Sequence, residues 1–423
     1  MIGKCRIIHS SYITHPISLI TPHSSLIAYH SSLLTPHSSL ITPHSSFDFL
    51  VIGGGIFGCY AALYLANKGA RVALVEKEAR LFQKASVVNQ ARLHSGYHYP
   101  RSIATAALSD EHKARFTEEH RPFVHSQFEK FYALDRFGSF TDPRQFERFC
   151  AYLSIPCTPI KSHNLFNFNR LEALYATVEA TFDPVLLGMH YRERVQAHAG
   201  IHVYTCARVT QAVADGDVWR INIAQQLDTQ QDPVLLEISS ATVINATYAA
   251  SSAVNRLFQV ADLDLTHEIS EIAFVSSKAF ENKGLTVMDG PFGSIMPYGK
   301  SGLLSLSSVA YTHHKISYQN LPHFDCQTAA DPACTPSAPG ICTTCVRRPA
   351  SNAYKMIAQM GQYFSDSVEF EHLFSYYTIK SKLKTSYIDD GRPTEISMLR
   401  ENPHFYCLFA GKINSIYEVE KIV

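Results

Sequence analysis

The chain reads as an α/β protein with two kinds of sheet: a parallel one wrapped by helices, and a mainly antiparallel one in a second domain. Three observations carry that reading. Residues 47–76, FDFLVIGGGIFGCYAALYLANKGARVALVE, run strand, helix, strand within the length of one βαβ unit. Short apolar runs at 201–205, 241–250 and 405–410 read as further strands. Segments at 271–276 and 303–307 alternate apolar and polar residues, the period of an antiparallel sheet.

The βαβ unit comes first in the argument. Phe49-Leu50-Val51-Ile52 is an apolar run of the kind found in buried parallel strands. Gly53, Gly55 and Gly58 follow as G-x-G-x-x-G. Gly53 permits the tight turn out of the strand, Gly55 lets a pyrophosphate approach the backbone, and Gly58 lets the helix pack closely on the sheet. Ala62, Leu65 and Ala66 share a helical face that Gly69 closes, and a strand at 72–75 ends at an acid, Glu76. The helix N-terminus offers N–H groups and a positive dipole end to phosphates, and Glu76 accepts from ribose hydroxyls. A bare G-x-G-x-x-G says little, but here it sits between two strands with the acid at the right distance. This Rossmann-like unit is expected to bind a dinucleotide. A glycine-rich turn without a ligand is the plain structural alternative.

Composition narrows the class. At 423 residues there is room for two or three domains, and 37 basic residues balance 37 acidic ones. That balance argues against nucleic acid or a charged membrane surface as partner. Ten cysteines spread over this length do not resemble a disulfide framework. No apolar run approaches the roughly 20 residues of a membrane span. A protein of the reducing cytoplasm is the expectation, with no membrane span and no nucleic acid.

Residues 1–46 stand apart. TPHSSLI, AYHSSLL, TPHSSLI and TPHSSFD form a seven-residue tandem repeat over 21–48. Pro22, Pro36 and Pro43 would break a coiled coil in nearly every heptad. The predicted state is a disordered leader, of the kind translated from tandem-repeat DNA upstream of a gene. Met189 is the next methionine after Met1, so a later start would need another codon. N-terminal sequencing of the natural protein decides that point.

After Glu76, SVVNQARLHSGYHYPRS (86–102) concentrates Ser86, Asn89, Arg92, His94, Tyr97, His98 and Tyr99 in a segment of poor periodicity, as a site-lining loop does. Residues 103–182 read as mainly helical, with helical spacing at 109–116 and at 143–153, where Asp142 caps and Pro143 opens. Asp183 and Pro184 start a helix to 199, and strands are expected at 201–205, 209–213, 218–223 and 235–239, with a hairpin turn at Asp215-Gly216. The strand at 241–250 runs into small and hydroxyl residues, which would lie beside the cofactor at the carboxyl edge of the sheet. Residues 319–349 hold Cys326, Cys334, Cys342 and Cys345 among Pro, Ala and Thr. Cys342-x-x-Cys345 is half a zinc site, but the other spacings are irregular, so a plain surface insertion is expected and no metal. A helix at 353–364, a strand at 376–383, a turn at 389–393, the strand 405–410 and a short helix from Asn414 complete the chain.

With its two ends read, the chain resembles the D-amino acid oxidase-like family of FAD-dependent oxidoreductases over 47–423. The opening fingerprint to Glu76 is similar to the family's ADP-binding segment, and Ser86 to Gly96 to its segment after the second strand, where an N-x-x-x-x-H-x-G-like run lines the flavin. Val209 falls in the strand that contacts the adenine side in the family. Asn245 to Tyr248 resembles its N-A-x-G turn, with Thr247 and Tyr248 where glycine is usual. Asp390-Gly391-Arg392-Pro393, strand 405–410 and Gly411 resemble its terminal flavin-binding segment. The resemblance implies FAD held by Gly53, Gly55, Ile56, Phe57, Gly58, Glu76, Lys77, Ser86, Asn89, Arg92, Leu93, Val209, Ala246, Gly411, Lys412 and Ile413. It implies a discontinuous FAD domain (47–125, 183–266, 385–423) and a substrate domain (126–182, 267–384). Lys384 stands about where several members place a substrate-binding arginine; lysine keeps the charge without the bidentate fork.

The expected reaction is hydride transfer to flavin from a C–N or C–O bond of a small polar substrate, with the electron acceptor open. Candidates for handling the substrate are His94, His98, Tyr97 and Lys384, with Tyr99, His313 and His314 behind them. A flavin-binding protein without turnover and an NAD-dependent dehydrogenase are the alternatives.

Overall fold

A computed structural model describes residues 45–98, 100, 112–227, 231–328, 334–384, 394–409 and 411–422. The repeat leader to residue 44, Tyr99 and the turn at 389–393 therefore lie outside the described residues.

The chain enters through β1 (Ser45–Ile52), α1 (Ile56–Asn67) and β2 (Val72–Val75). β2 is buried at every position, and α1 is buried on nearly all sides, between the sheet and a later helix. β3 (Arg92–Leu93), α2 (Lys113–Glu119) and β4 (Val124–His125) lead to β5 (Glu129–Asp135), α3 (Pro143–Tyr152), β6 (Cys157–Pro159), β7 (Leu171–Thr177) and β8 (Ala180–Phe182). The expectation of a mainly helical 103–182 is thus corrected. Six of the seven residues of β5 are buried, so both faces are covered and the apolar run Phe131–Leu134 lacks the period of two that marks a strand. α3 is capped as expected, with Asp142 accepting from Gln145 N and the Gln145 side chain accepting from Asp142 N.

Next come α4 (Pro184–Ala197), capped by Asp183, then β9 (Ile201–Tyr204), β10 (Ala207–Asp215), β11 (Val218–Gln225) and β12 (Val234–Asn245). The two strands expected at 235–239 and 241–250 are one strand, β12, that ends at Asn245. Ser239 and Ser240 carry the strand through without a break, paired with Ser46 and Phe47 of β1 on one edge and with Arg220 and Trp219 of β11 on the other. α5 (Ser251–Leu257) precedes β13 (Leu265–Ser276), β14 (Lys283–Met288), β15 (Gly293–Pro297), β16 (Leu304–Ser308) and β17 (His313–Ser317). α6 (Ala353–Gly361), β18 (Glu371–Leu383), β19 (Glu395–Glu401) and β20 (His404–Phe409) follow, and a 3-10 stretch, Ile413–Ile422, replaces the expected final helix.

Among the described residues three sheets form. The first has the order β10-β11-β12-β1-β2-β9, with β20 beside β12 and β19 beside β20. Its β20-β12-β1-β2-β9 part is parallel. The second has the order β17-β13-β16-β15-β14-β5-β7-β6, with β18 beside β13, and is antiparallel apart from the β14–β5 pair. The third is the small sheet β3-β8-β4. β13 is buried on both faces, so its polar residues are internal. Glu268 pairs with Lys382 and His313, and Glu271 with His314.

Candidate active site

At the carboxyl end of β1 the turn is built for close approach. Gly53 sits at φ +107, and a Cβ there would lie 2.7 Å from the carbonyl oxygen of Ala246. Gly55 is the N-cap of α1 and lends it no side-chain hydrogen bond; Ile56 N donates to Ser86 Oγ at 3.0 Å. The remaining N–H groups of the first turn, with the dipole, face an open space suited to phosphate. Glu76 accepts from Gly54 N at 2.6 Å and from Glu78 N at 2.8 Å. It therefore ties the glycine turn to the end of β2, beyond the ribose-binding role expected of it.

That open space is one end of a cavity of about 680 Å³, within the range of cofactor and ligand sites. The cavity runs from Glu76, Lys77 and Val209 past the glycine turn to Ser270, Thr312, Thr378 and Lys380 on the antiparallel sheet. Gly53, Gly55, Ile56, Phe57, Ser86, Asn89, Arg92, His94, Ala246, Gly411, Lys412 and Ile413 all line it. The glycine turn and the chain's last segment thus share one cavity.

Other expected site residues lie elsewhere. Gly58 is inside α1, where its missing side chain serves packing. Leu93 is buried in the core beneath that helix. Tyr97 is wholly buried beside Tyr132, donating to Pro156 O at 2.5 Å and accepting from Val178 N at 3.3 Å, with its phenol pKa raised first by burial. It is a core residue, because a period-free loop can turn any of its side chains inward. His98 is exposed, its ring 5.9 Å from that of His94. Lys384 pairs with Asp264 away from the cavity. His313 and His314 are bound to Glu268 and Glu271, next to Thr312, which does line the cavity.

Behind His94 and Arg92 sits a buried charged group. Glu179 accepts from Tyr132 Oη at 3.0 and 3.1 Å and lies 3.6 Å from Arg92 Nε, 3.9 Å from Lys130 Nζ and 4.0 Å from His94 Nδ1. Arg92 also donates to Ser294 and Thr286. Burial, then Arg92, push the Lys130 pKa down, and Glu179 opposes them.

Sequence reasoning missed the far wall. Ser270, Thr378 and Lys380 share it, and the β13–β18 register sets Ser270 against Thr378 and Glu268 against Lys380. The polar pair Thr378 and Lys380, two apart in the strand, could have marked that wall. The cysteine-rich segment, expected as a plain surface insertion, also reaches the cavity. Residues 337–342 line the cavity, and Lys84 Nζ donates to Pro339 O at 2.8 Å, so the segment wraps onto the loop after β2. No group of three potential metal ligands is formed among the described residues.

The tight glycine turn, the helix N-terminus, the acid after β2 and the cavity's size fit a flavin adenine dinucleotide. Gly53 to Phe57 and Ser86 would hold its diphosphate and Glu76 its ribose, with 411–413 lining the same cavity.

Comparison with known proteins agrees with this geometry. The family described as FAD dependent oxidoreductase (DAO) matches residues 48–305. An FAD-dependent monooxygenase, FPY4, of Fusarium mangiferae is 25% identical over 379 residues, 87% of each chain. An FAD-dependent monooxygenase, kojA, of Aspergillus flavus is 28% identical over 258 residues, 58% of this chain and 57% of its own. Among solved structures, glycine oxidase from Geobacillus kaustophilus superposes with a TM-score of 0.61 at 14% identity, over 89% of this chain and 92% of its own. L-α-glycerophosphate oxidase from Mycoplasma pneumoniae, with FAD bound, superposes at 0.62 and 15% identity, over 89% and 93%. No helix among the described residues is long and apolar enough to cross a membrane.

Proposed function

The chain belongs to the FAD dependent oxidoreductase (DAO) family, and on that premise we propose that it oxidises a C–N or C–O bond of a small polar substrate: an amino acid, an amine or a 2-hydroxy acid. One observation carries the reading. A single cavity joins the dinucleotide cradle to a polar wall of the antiparallel sheet, so cofactor and small molecule share it.

When bound, the flavin supplies the two-electron acceptor. The chain's own residues do the rest. His94, on the cavity wall with Glu179 behind Nδ1, is the candidate to take the proton from the substrate heteroatom. Lys380, with Ser270 and Thr378, offers charge and hydroxyls to the substrate's polar end. The backbone at 411–413 supports negative charge at the ring end. Arg92 also lines the cavity, and its bonds to Ser294 and Thr286 fix its buried guanidinium beside Glu179.

Anaerobic mixing with a panel of amino acids, amines and hydroxy acids, read at the flavin absorbance band, tests this. Bleaching by one member is the expected result. Inertness to all of them would instead support a flavin-binding protein without turnover. The names of the two fungal relatives support a second reading, a monooxygenase. In that case NADH or NADPH, and not the substrate alone, bleaches the flavin.

A further inference from the structure

Four consecutive residues of β18, Tyr377, Thr378, Ile379 and Lys380, line the cavity. Successive side chains of a strand point to opposite faces, so a cavity lying on one face would not touch all four. It touches them by meeting the strand's edge. Among the described residues β18 pairs with β13 alone, which leaves its other edge without a strand.

Two hydroxyls already occupy that edge. At Ser381 the Tyr248 phenol accepts from N–H and donates to C=O, both at 2.9 Å. At Tyr377 the Thr343 hydroxyl does the same, at 2.9 and 3.0 Å. Ile379 lies midway between them. The register with β13 is unbroken from 376 to 383, so alternation turns the N–H and C=O of Ile379 to the same edge as those of 377 and 381.

The geometry assigns this edge at Ile379 as a hydroxyl-binding site inside the cavity, and the substrate as a molecule whose hydroxyl bridges that N–H and C=O. The assignment rests on the function proposed above and narrows it. A group that satisfies both atoms must accept and donate at once. A hydroxyl does so, as Tyr248 and Thr343 show on either side. An ammonium brings only donors and a carboxylate only acceptors. Either one alone leaves one peptide group unmatched, whereas a single hydroxyl matches both.

The test uses the full chain loaded with FAD and three matched pairs of ligands: lactate and propionate, 2-hydroxyglutarate and glutarate, mandelate and phenylacetate. Binding is read from the perturbed flavin absorbance and needs no turnover. The expected result is a hydroxy acid that binds at least tenfold tighter than its deoxy partner. Ile379→Pro removes the N–H at a free edge, where proline is tolerated. In protein that still carries FAD it should abolish that preference. In the unmodified chain, hydrogen exchange across 376–383 should slow with the hydroxy acid and not with its partner. Equal affinities within every pair, failure of every hydroxy acid to bind, unchanged exchange, or a preference that survives Ile379→Pro would each overturn the assignment. A hydroxyl preference without flavin reduction would leave the site standing and remove the oxidation reading instead.

Discussion

A Cβ placed on Gly58 would lie 1.8 Å from the carbonyl oxygen of Gly53, with Val51 behind it. Backbone cannot give way as a flexible side chain does, so α1 would have to lift off β1. Gly58→Ala is expected to cost roughly 1–3 kcal/mol through overpacking and to yield protein with little bound FAD; absorbance of the purified protein checks this. Glu179 is the opposite case, a charge with almost no exposure that faces Arg92 and Lys130. Glu179→Gln leaves those cations without their carboxylate, at a cost of about 3–5 kcal/mol for a broken buried pair. Denaturant midpoints measure that loss. Glu76 and the glycines were legible because each answers a local backbone demand. Glu179 and Lys130 were not, since only packing brings β5 and the turn before β8 against Arg92.

At the scale of elements, β18 joins the two main sheets. Tyr248 leaves the turn after β12 at φ +55, a left-handed conformation that a glycine would adopt freely. Its ring stacks on Phe409 at 5.3 Å, and its hydroxyl closes on Ser381. These contacts compensate for the backbone strain and tie the cradle to the edge of β18. Tyr248→Phe should lower stability by about 1–3 kcal/mol, since it strands a buried N–H and C=O. Tyr248→Gly should remove the strain but also the stack. Urea unfolding of both variants separates the hydroxyl from the ring. The departure from a glycine at this turn could be read in the sequence; its reason is visible only where β18 passes the tyrosine.

Over the whole molecule, acid stability follows from two buried histidines. Burial lowers the pKa of His120 and of His267 from 6.5 to about 4. His120 accepts from Tyr191 Oη at 2.9 Å through Nε2 and donates to Phe116 O at 3.1 Å through Nδ1, which suits the neutral ring. The folded state binds fewer protons than the unfolded one between those values, so stability falls as pH drops from about 6.5 to about 4. Glu271 extends the loss. Burial alone would raise its pKa, but hydrogen bonds from His314, Ser351, Ser375 and the Asn352 N–H bring it from 4.5 to about 2. Its contribution is present above 4.5 and lost as pH falls toward 2. Urea midpoints measured from pH 7 to pH 4 should decline, and His267→Asn should flatten that slope.

The dinucleotide fold and its cradle were written into local sequence. Strand, glycine turn, helix and acid are near neighbours, and each residue type meets a constraint set within a few positions. The partners that complete the cavity are far apart in the chain: Lys380 and Thr378 against Ser270, and residues 337–342 against Lys84. Tyr97 turned inward while His94 stayed at the wall, a difference no spacing encodes. Those outcomes depend on which faces and edges the packed sheets bring together, and burial decides them only once the whole chain has closed.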